Sequence, residues 1–328
     1  MLKRKINDMR SIKKTLCHLQ YSVVVLLAMQ GIATANCGSA FCSVNTNWDM
    51  HTPWNGNTTR LDLRMEFIPQ NQLRSGVDKV QRSGELGEHD EVKTYNRNYI
   101  ASLNYPISPN LGLALQVPLV SRNHSHFSNH ADGPEMESWD FTRLGDIHAL
   151  LHLRLDDAQS PQDNVYGLSG GIKLPTGSIK VRNASEEIAE RTLQPGTGTM
   201  DLLAGGFASG QIGKANWHTQ IRWQHALSKR QNFRPGDAVN LDVGINYPIG
   251  KIQALAQINL QWRERDSGTS AESDNSGGRY VYFSPGLAVP IGHDMQVYGL
   301  IQLPVLQDVC GKQLTSDWAA TLGLTMRF

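Results

Sequence analysis

The sequence predicts an all-β fold, a transmembrane antiparallel up-and-down barrel of about twelve strands. Three observations carry this. Apolar and polar residues alternate with period two along many short segments. Long and short connections alternate between those segments. The chain stops in mid-alternation, on "TLGLTMRF", where Leu322, Leu324, Met326 and Phe328 face one way and Thr321, Gly323, Thr325 and Arg327 the other.

The first 35 residues read as a secretory signal. Lys3, Arg4, Lys5, Arg10, Lys13 and Lys14 precede the apolar run "YSVVVLLAMQGIATA", and Ala33 and Ala35 suit a signal peptidase. The run is too short for a membrane helix, which needs about 20 residues. Its removal takes six of 31 Lys+Arg and one of 30 Asp+Glu, leaving 25 against 29. A net charge of −4 argues against nucleic acid as a partner. The mean hydropathy of the chain is negative. That excludes a bundle of membrane helices but not a barrel, because only alternate strand residues face lipid.

Residues 36–57 form a separate N-terminal segment, placed in the periplasm or in the barrel lumen as a plug. It holds Cys37 and Cys42. In an oxidising compartment "CGSAFC" most simply closes a small disulfide and leaves Cys310 over; pairing with Cys310 is the alternative.

The barrel occupies 58–328, and its strands follow in order. In "LDLRMEF" (61–67), Leu61, Leu63, Met65 and Phe67 oppose Asp62, Arg64 and Glu66. In "NYIASLNY" (98–105), Tyr99, Leu103 and Tyr105 oppose Asn98, Ser102 and Asn104. "LGLALQVPL" (111–119) and "GDIHALLHLRL" (145–155) repeat the pattern, the latter with Asp146, His148, His152 and Arg154 on its polar face. Further strands are expected at 166–174, 200–209, 217–226, 240–247, 253–263, 280–289, 296–303 and 317–328. The segment 200–209 alternates poorly. No helical period appears after the signal.

The connections 70–92, 121–143, 175–198 and 264–278 are long and polar, whereas those near Pro109, Gly213, Gly250 and Gly292 are short. Outer-membrane barrels have this order, with short turns in the periplasm and long loops outside. A lipocalin-like soluble barrel would bury the apolar face instead and needs no such order. Tyr105, Trp217, Tyr247 and Phe328 fall at the short-turn ends, where interface aromatics belong, although Trp223 falls in mid-strand. The terminal Phe328 then reads as the signal by which barrel assembly machinery recognises an outer-membrane strand. Outer-membrane lipids and a small-molecule solute are the other partners implied, and the compartment is a bacterial outer membrane.

Polar faces pointing inward make Arg64, Glu66, Asn104, Asp146, His148, His152, Lys173, Asp201, Arg222, Asp242, Asn259 and Arg263 the candidate pore-lining residues. Both charge signs occur, so no single-sign selectivity ring is expected. Many of these charges should pair across the lumen. His124, His126 and His130 cluster in a long polar connection, where solvated histidines are the rule. No metal site, cofactor or catalytic residue is expected.

"GDI" (145–147), "KLPTG" (173–177) and "QPGTGTMD" (194–201) together resemble the MetA-pathway of phenol degradation family of outer-membrane channels. The resemblance covers roughly 144–328 and implies a barrel of about twelve strands that takes up small solutes, aromatic compounds among them. The "CGSAFCSVNTNWD" leader has no counterpart in that pattern. Pro175, Gly177, Gly196 and Gly198 are expected to shape the mouth of the barrel. A competing resemblance is to outer-membrane phospholipase A, carried by "HFSN" (126–129) and "SWD" (138–140). It implies His126 as base, Ser128 as nucleophile and Asp140 as the residue orienting the histidine. A structural or adhesive barrel is the third alternative.

Overall fold

The computed structural model describes residues 58–83, 89–130, 133–156 and 164–328. The signal sequence, the 36–57 segment, Cys37 and Cys42 lie outside the described residues. Fifteen strands form one antiparallel sheet. Twelve close the barrel: β1 (Arg60–Gln70), β4 (His89–Ser108), β5 (Leu111–His130), β7 (Ile147–Arg154), β8 (Val165–Leu174), β9 (Asp201–Ile212), β10 (Ala215–Ala226), β11 (Ala238–Ile249), β12 (Ile252–Arg263), β13 (Gly278–Ile291), β14 (Met295–Thr315) and β15 (Ala319–Arg327). Each pairs with its neighbours in this order. Pairing of β1 with β15, from Arg60↔Arg327 to Phe67↔Ala320, closes the ring. A closed ring leaves no unpaired barrel edge.

Side chains alternate across the sheet. Leu63, Met65, Tyr99, Leu103, Leu151, Leu153, Ile221, Val243, Ile245 and Leu322 are exposed on the outside. Asp62, Arg64, Glu66, Asn98, Asn104, Gln220, Arg222, Asp242 and Asn259 are buried inside. Apolar-out and polar-in is the membrane-barrel pattern and the reverse of a soluble barrel. Tyr105, Tyr247 and Phe328 are exposed at the end of the short turns. Those turns are tight: Gly213 and Gly250 supply φ of +60° and +61° between consecutive strands, backbone angles that two-residue hairpins favour and L side chains rarely adopt.

The interior is not uniformly polar. Tyr298, Leu300, Leu255 and Ala288 form one buried apolar cluster, and Tyr280, Tyr282, Ile68, Val309 and Ala319 another. Leu203 and Phe207 also point inward from β9. This explains its weak alternation. Gly167 on β8 leaves room for the Phe207 ring, since a Cβ there would come within 2.5 Å of it.

Three expected loops are in fact strands. β5 continues to His130 and turns back as β6 (Gly133–Leu144), paired from Leu119↔Leu144 to His130↔Gly133. β2 (Gln72–Gly76) and β3 (Asp78–Lys79) form a hairpin that pairs with the extended end of β14. The stretch 304–315, expected as a connection, is part of β14. Beyond the apolar belt neither face of a strand needs to be apolar. The backbone ladder persists there while the period-two signal disappears.

Candidate functional site

The inner wall is built from paired polar groups. Arg64 donates to Glu66 at 3.1 Å and to Ser102 at 3.3 Å. Glu66 accepts from Asn98 at 3.1 Å. Asp62 accepts from Thr325 at 2.8 Å and from the Tyr298 hydroxyl at 3.0 Å, which ties β1 to β15 and β14. On the far side Asn259 donates to Asp242 at 2.7 Å and accepts from Ser284 at 2.6 Å. Arg263 is half-buried at the loop end and donates to Asp266 at 2.8 Å. Hydrogen-bonded networks of this kind offset the cost of burying charge.

Between these networks is an inner cavity lined by Asn104, Gln116, Leu150, His152, Phe207, Gln220 and Arg222. Its wall combines amide and guanidinium groups with an apolar patch. The His152 and Phe207 rings meet edge to face with centroids 5.8 Å apart. His148 is half-buried on the same strand. At the turn end a second cavity is lined by Asn216, Asn246, Gln296, Thr325 and Arg327.

Asp146, Lys173 and Asp201 do not stand along an open wall. Asp146 precedes β7 rather than lying in it, and the three form a knot at the loop end. Lys173 Nζ donates to Asp146 Oδ2 at 2.7 Å and to the Thr199 carbonyl at 3.0 Å, and lies 3.3 Å from Asp201. Asp146 also accepts from the backbone N–H of Gly177 and of Thr197, each at 2.9 Å. Thr199 donates to Asp201 at 2.7 Å. "GDI", "KLPTG" and "QPGTGTMD" thus meet at one point. Gly177 and Gly196 cross in contact there: a Cβ on Gly177 would fall 2.6 Å from the Gly196 Cα.

The connection 175–200 is held across the loop end by further contacts. Buried Arg122 on β5 donates to the carbonyls of Thr192, Leu193 and Gln194 at 3.2, 2.5 and 3.0 Å. The Trp139 indole donates to the Glu187 carbonyl at 3.1 Å. Trp139 and Phe141 pack with Val181, Ala189 and Leu193. Three carbonyls converging on one guanidinium fix the loop in place, since each bond to a charged donor is among the stronger kinds.

Two of the histidines of the β5 extension are not solvated. His124 and His126 are buried, and their rings lie against Trp139. His124 Nε2 is 3.0 Å from His126 Nδ1 and 3.6 Å from Glu91 Oε2. Burial lowers the His126 pKa to about 4. Burial, and then the charge of Glu272, hold Glu91 well above the usual carboxylate range. Burial also raises Glu190, aided by Glu272, Glu91 and Glu137. The side chain of His130 lies outside the described residues.

The triad implied by "HFSN" and "SWD" is not assembled. The His126 ring nitrogens face His124 Nε2 and, at 3.1 Å, Glu137 Oε2. Asp140 is exposed on the other face of β6 and accepts from Asn123 at 3.1 Å. Ser128 pairs with Glu135 across β5 and β6. Cys310 is a half-buried free thiol on β14.

No family model matches the chain, and no curated protein matches it. Among solved structures it is similar to the COG4313 outer membrane channel from Pseudomonas putida F1. The TM-score is 0.61 and the identity 14%, over 87% of this chain and 100% of that one. It is less similar to the Pseudomonas putida toluene transporter TodX, with TM-score 0.46 and 9% identity over 90% and 96% of the two chains. The translocator domain of the autotransporter NalP from Neisseria meningitidis gives TM-score 0.44 and 10% identity over 96% and 98%. The first of these likenesses establishes a shared barrel fold.

Proposed function

We propose that this chain is an outer-membrane channel for small solutes, with aromatic or weakly polar compounds the best-fitting class. The observation that carries the reading is the closed ring of strands around a buried polar interior. Within it a small cavity of about 30 Å³ sets Leu150 and Phe207 beside Asn104, Gln116, Gln220 and Arg222. The exposed apolar belt and the closed ring of strands support an outer-membrane location, with the short turns in the periplasm. The resemblance of the three loop motifs to the phenol-degradation channel family supports the solute class, and the fold shared with an outer membrane channel supports the channel reading.

The twelve candidate residues divide by role in this reading. Asn104, His148, His152 and Arg222 border the solute path. Arg64, Glu66, Asp242, Asn259 and Arg263 stabilise its wall. Asp146, Lys173 and Asp201 hold the 175–200 loop over the mouth. Phe328 serves assembly, and residues 36–57 are a periplasmic segment or a luminal plug.

Planar-bilayer conductance of the refolded protein, with and without residues 36–57, tests the reading. Discrete steps are expected, larger in the shortened form. No conductance in either form, with no swelling of liposomes in phenol-sized solutes, would overturn it.

A further inference from the structure

We propose that Glu91, His124 and His126 form a binding site for a divalent transition-metal ion of the Zn²⁺ class, on the β4–β5–β6 extension beyond the apolar belt. One donor atom from each residue lies within 4.8 Å of the others, and all three residues are buried. The donor spacing suits such an ion. Bonds of about 2.0–2.1 Å in tetrahedral geometry place neighbouring donors about 3.3 Å apart, and the separations here are 3.0 and 3.6 Å.

The ring nitrogens turned away from the site are also held. His124 Nδ1 lies 2.8 Å from Thr94 Oγ1, and His126 Nε2 lies 3.1 Å from Glu137 Oε2. Metal-binding histidines ordinarily carry such an outer partner, which fixes the ring and its tautomer. With N–H on those outer nitrogens, the two facing nitrogens, 3.0 Å apart, both carry lone pairs. The same line of contacts can be carried by hydrogens alone, passing from Thr94 through both rings to Glu137. That arrangement brings no positive charge to the buried Glu91 carboxyl, 3.6 Å from His124 Nε2, whereas a divalent ion does.

Imidazole with carboxylate suits zinc, nickel, copper and cobalt rather than magnesium or calcium, which prefer all-oxygen sites. Glu91 also borders a cleft of about 390 Å³ lined by Gln72, Arg82 and Leu314. Bound there, the ion would fasten β4 to β5.

The test uses the mature chain, refolded in detergent without a polyhistidine tag and checked by heat-modifiable migration. Titration with Co²⁺ should reveal one equivalent bound with the visible absorption of a four-coordinate site, displaced by Zn²⁺. The double variant His124→Gln/His126→Gln should lose that equivalent, with affinity at least about 100-fold lower. Glu137→Gln should weaken binding about 10- to 100-fold, as loss of an outer partner does. His293→Gln, exposed in the β13–β14 turn, should bind as the parent does. Failure of the parent to bind one equivalent, or retention of that equivalent by the double variant, would overturn the site. If the double variant does not fold, Glu137→Gln decides, and an unchanged affinity then refutes the proposal.

Discussion

Lys173 Nζ lies 2.7 Å from Asp146 Oδ2, joining residues 27 apart in sequence at the point where the 175–200 loop is anchored. Both side chains are almost fully buried. Removing one partner of such a pair strands the other charge, at a cost of about 3–5 kcal/mol. Lys173→Met should therefore release the loop while the barrel still assembles. Limited proteolysis should cut within 175–200 in the variant and not in the parent. Equal resistance would mean that the backbone bonds to Arg122 suffice to hold it.

Gly196 offers a cleaner steric test. A Cβ there would lie 2.6 Å from the Gly177 carbonyl oxygen, a backbone atom that cannot swing away. Gly196→Ala should lower the thermal midpoint by several degrees, because an overpacked site costs about 1–3 kcal/mol. Gly170→Ala is the control. Its Cβ would meet nothing closer than 4.0 Å, so the change should stay within about 0.5 kcal/mol of the parent. Equal midpoints for the two variants would sink the close-crossing account.

Ile221 and Arg222 are neighbours on β10 with opposite surroundings: Ile221 is 48% exposed on the outer face and Arg222 is 5% exposed inside. Ile221→Lys places a charge toward lipid, at about 2–4 kcal/mol near the midplane. It should reduce the yield of folded barrel. Arg222→Glu should fold normally and shift the reversal potential in a salt gradient toward cation preference. Similar folding defects in both would show that the inner wall tolerates charge no better than the outer.

Phe328 is 72% exposed at the turn end of the barrel, and its backbone N–H donates to the Thr59 carbonyl at 2.9 Å. Its ring is therefore little used by the folded barrel itself. Phe328→Asp should block assembly in cells while leaving the purified chain able to refold in detergent. Wild-type amounts of heat-modifiable protein in outer-membrane fractions would contradict the assembly role.

The sequence by itself determined the number of barrel strands, their order and the direction each face points. These are local properties. A strand's two faces differ every second residue, so Leu63 and Arg64 declare their sides without knowledge of any partner. It under-read β9, where Leu203 and Phe207 turn inward, because an apolar residue does not announce whether lipid or lumen receives it. It also missed β6 and the extended ends of β4, β5 and β14. Past the apolar belt, pairing rests on backbone bonds that leave no trace in hydropathy.

Only the tertiary structure decided what the loops do. Asp146, Lys173 and Thr197 are separated by 27 and 24 residues, and the motifs around them announce turns but not their meeting. His124 and His126 looked solvated because their neighbours in sequence are polar. Their burial comes from Trp139 on β6, and Glu91, Glu137 and the 175–200 loop complete the surroundings. Burial and donor geometry are properties of packing between distant segments, and no local pattern of one chain contains them.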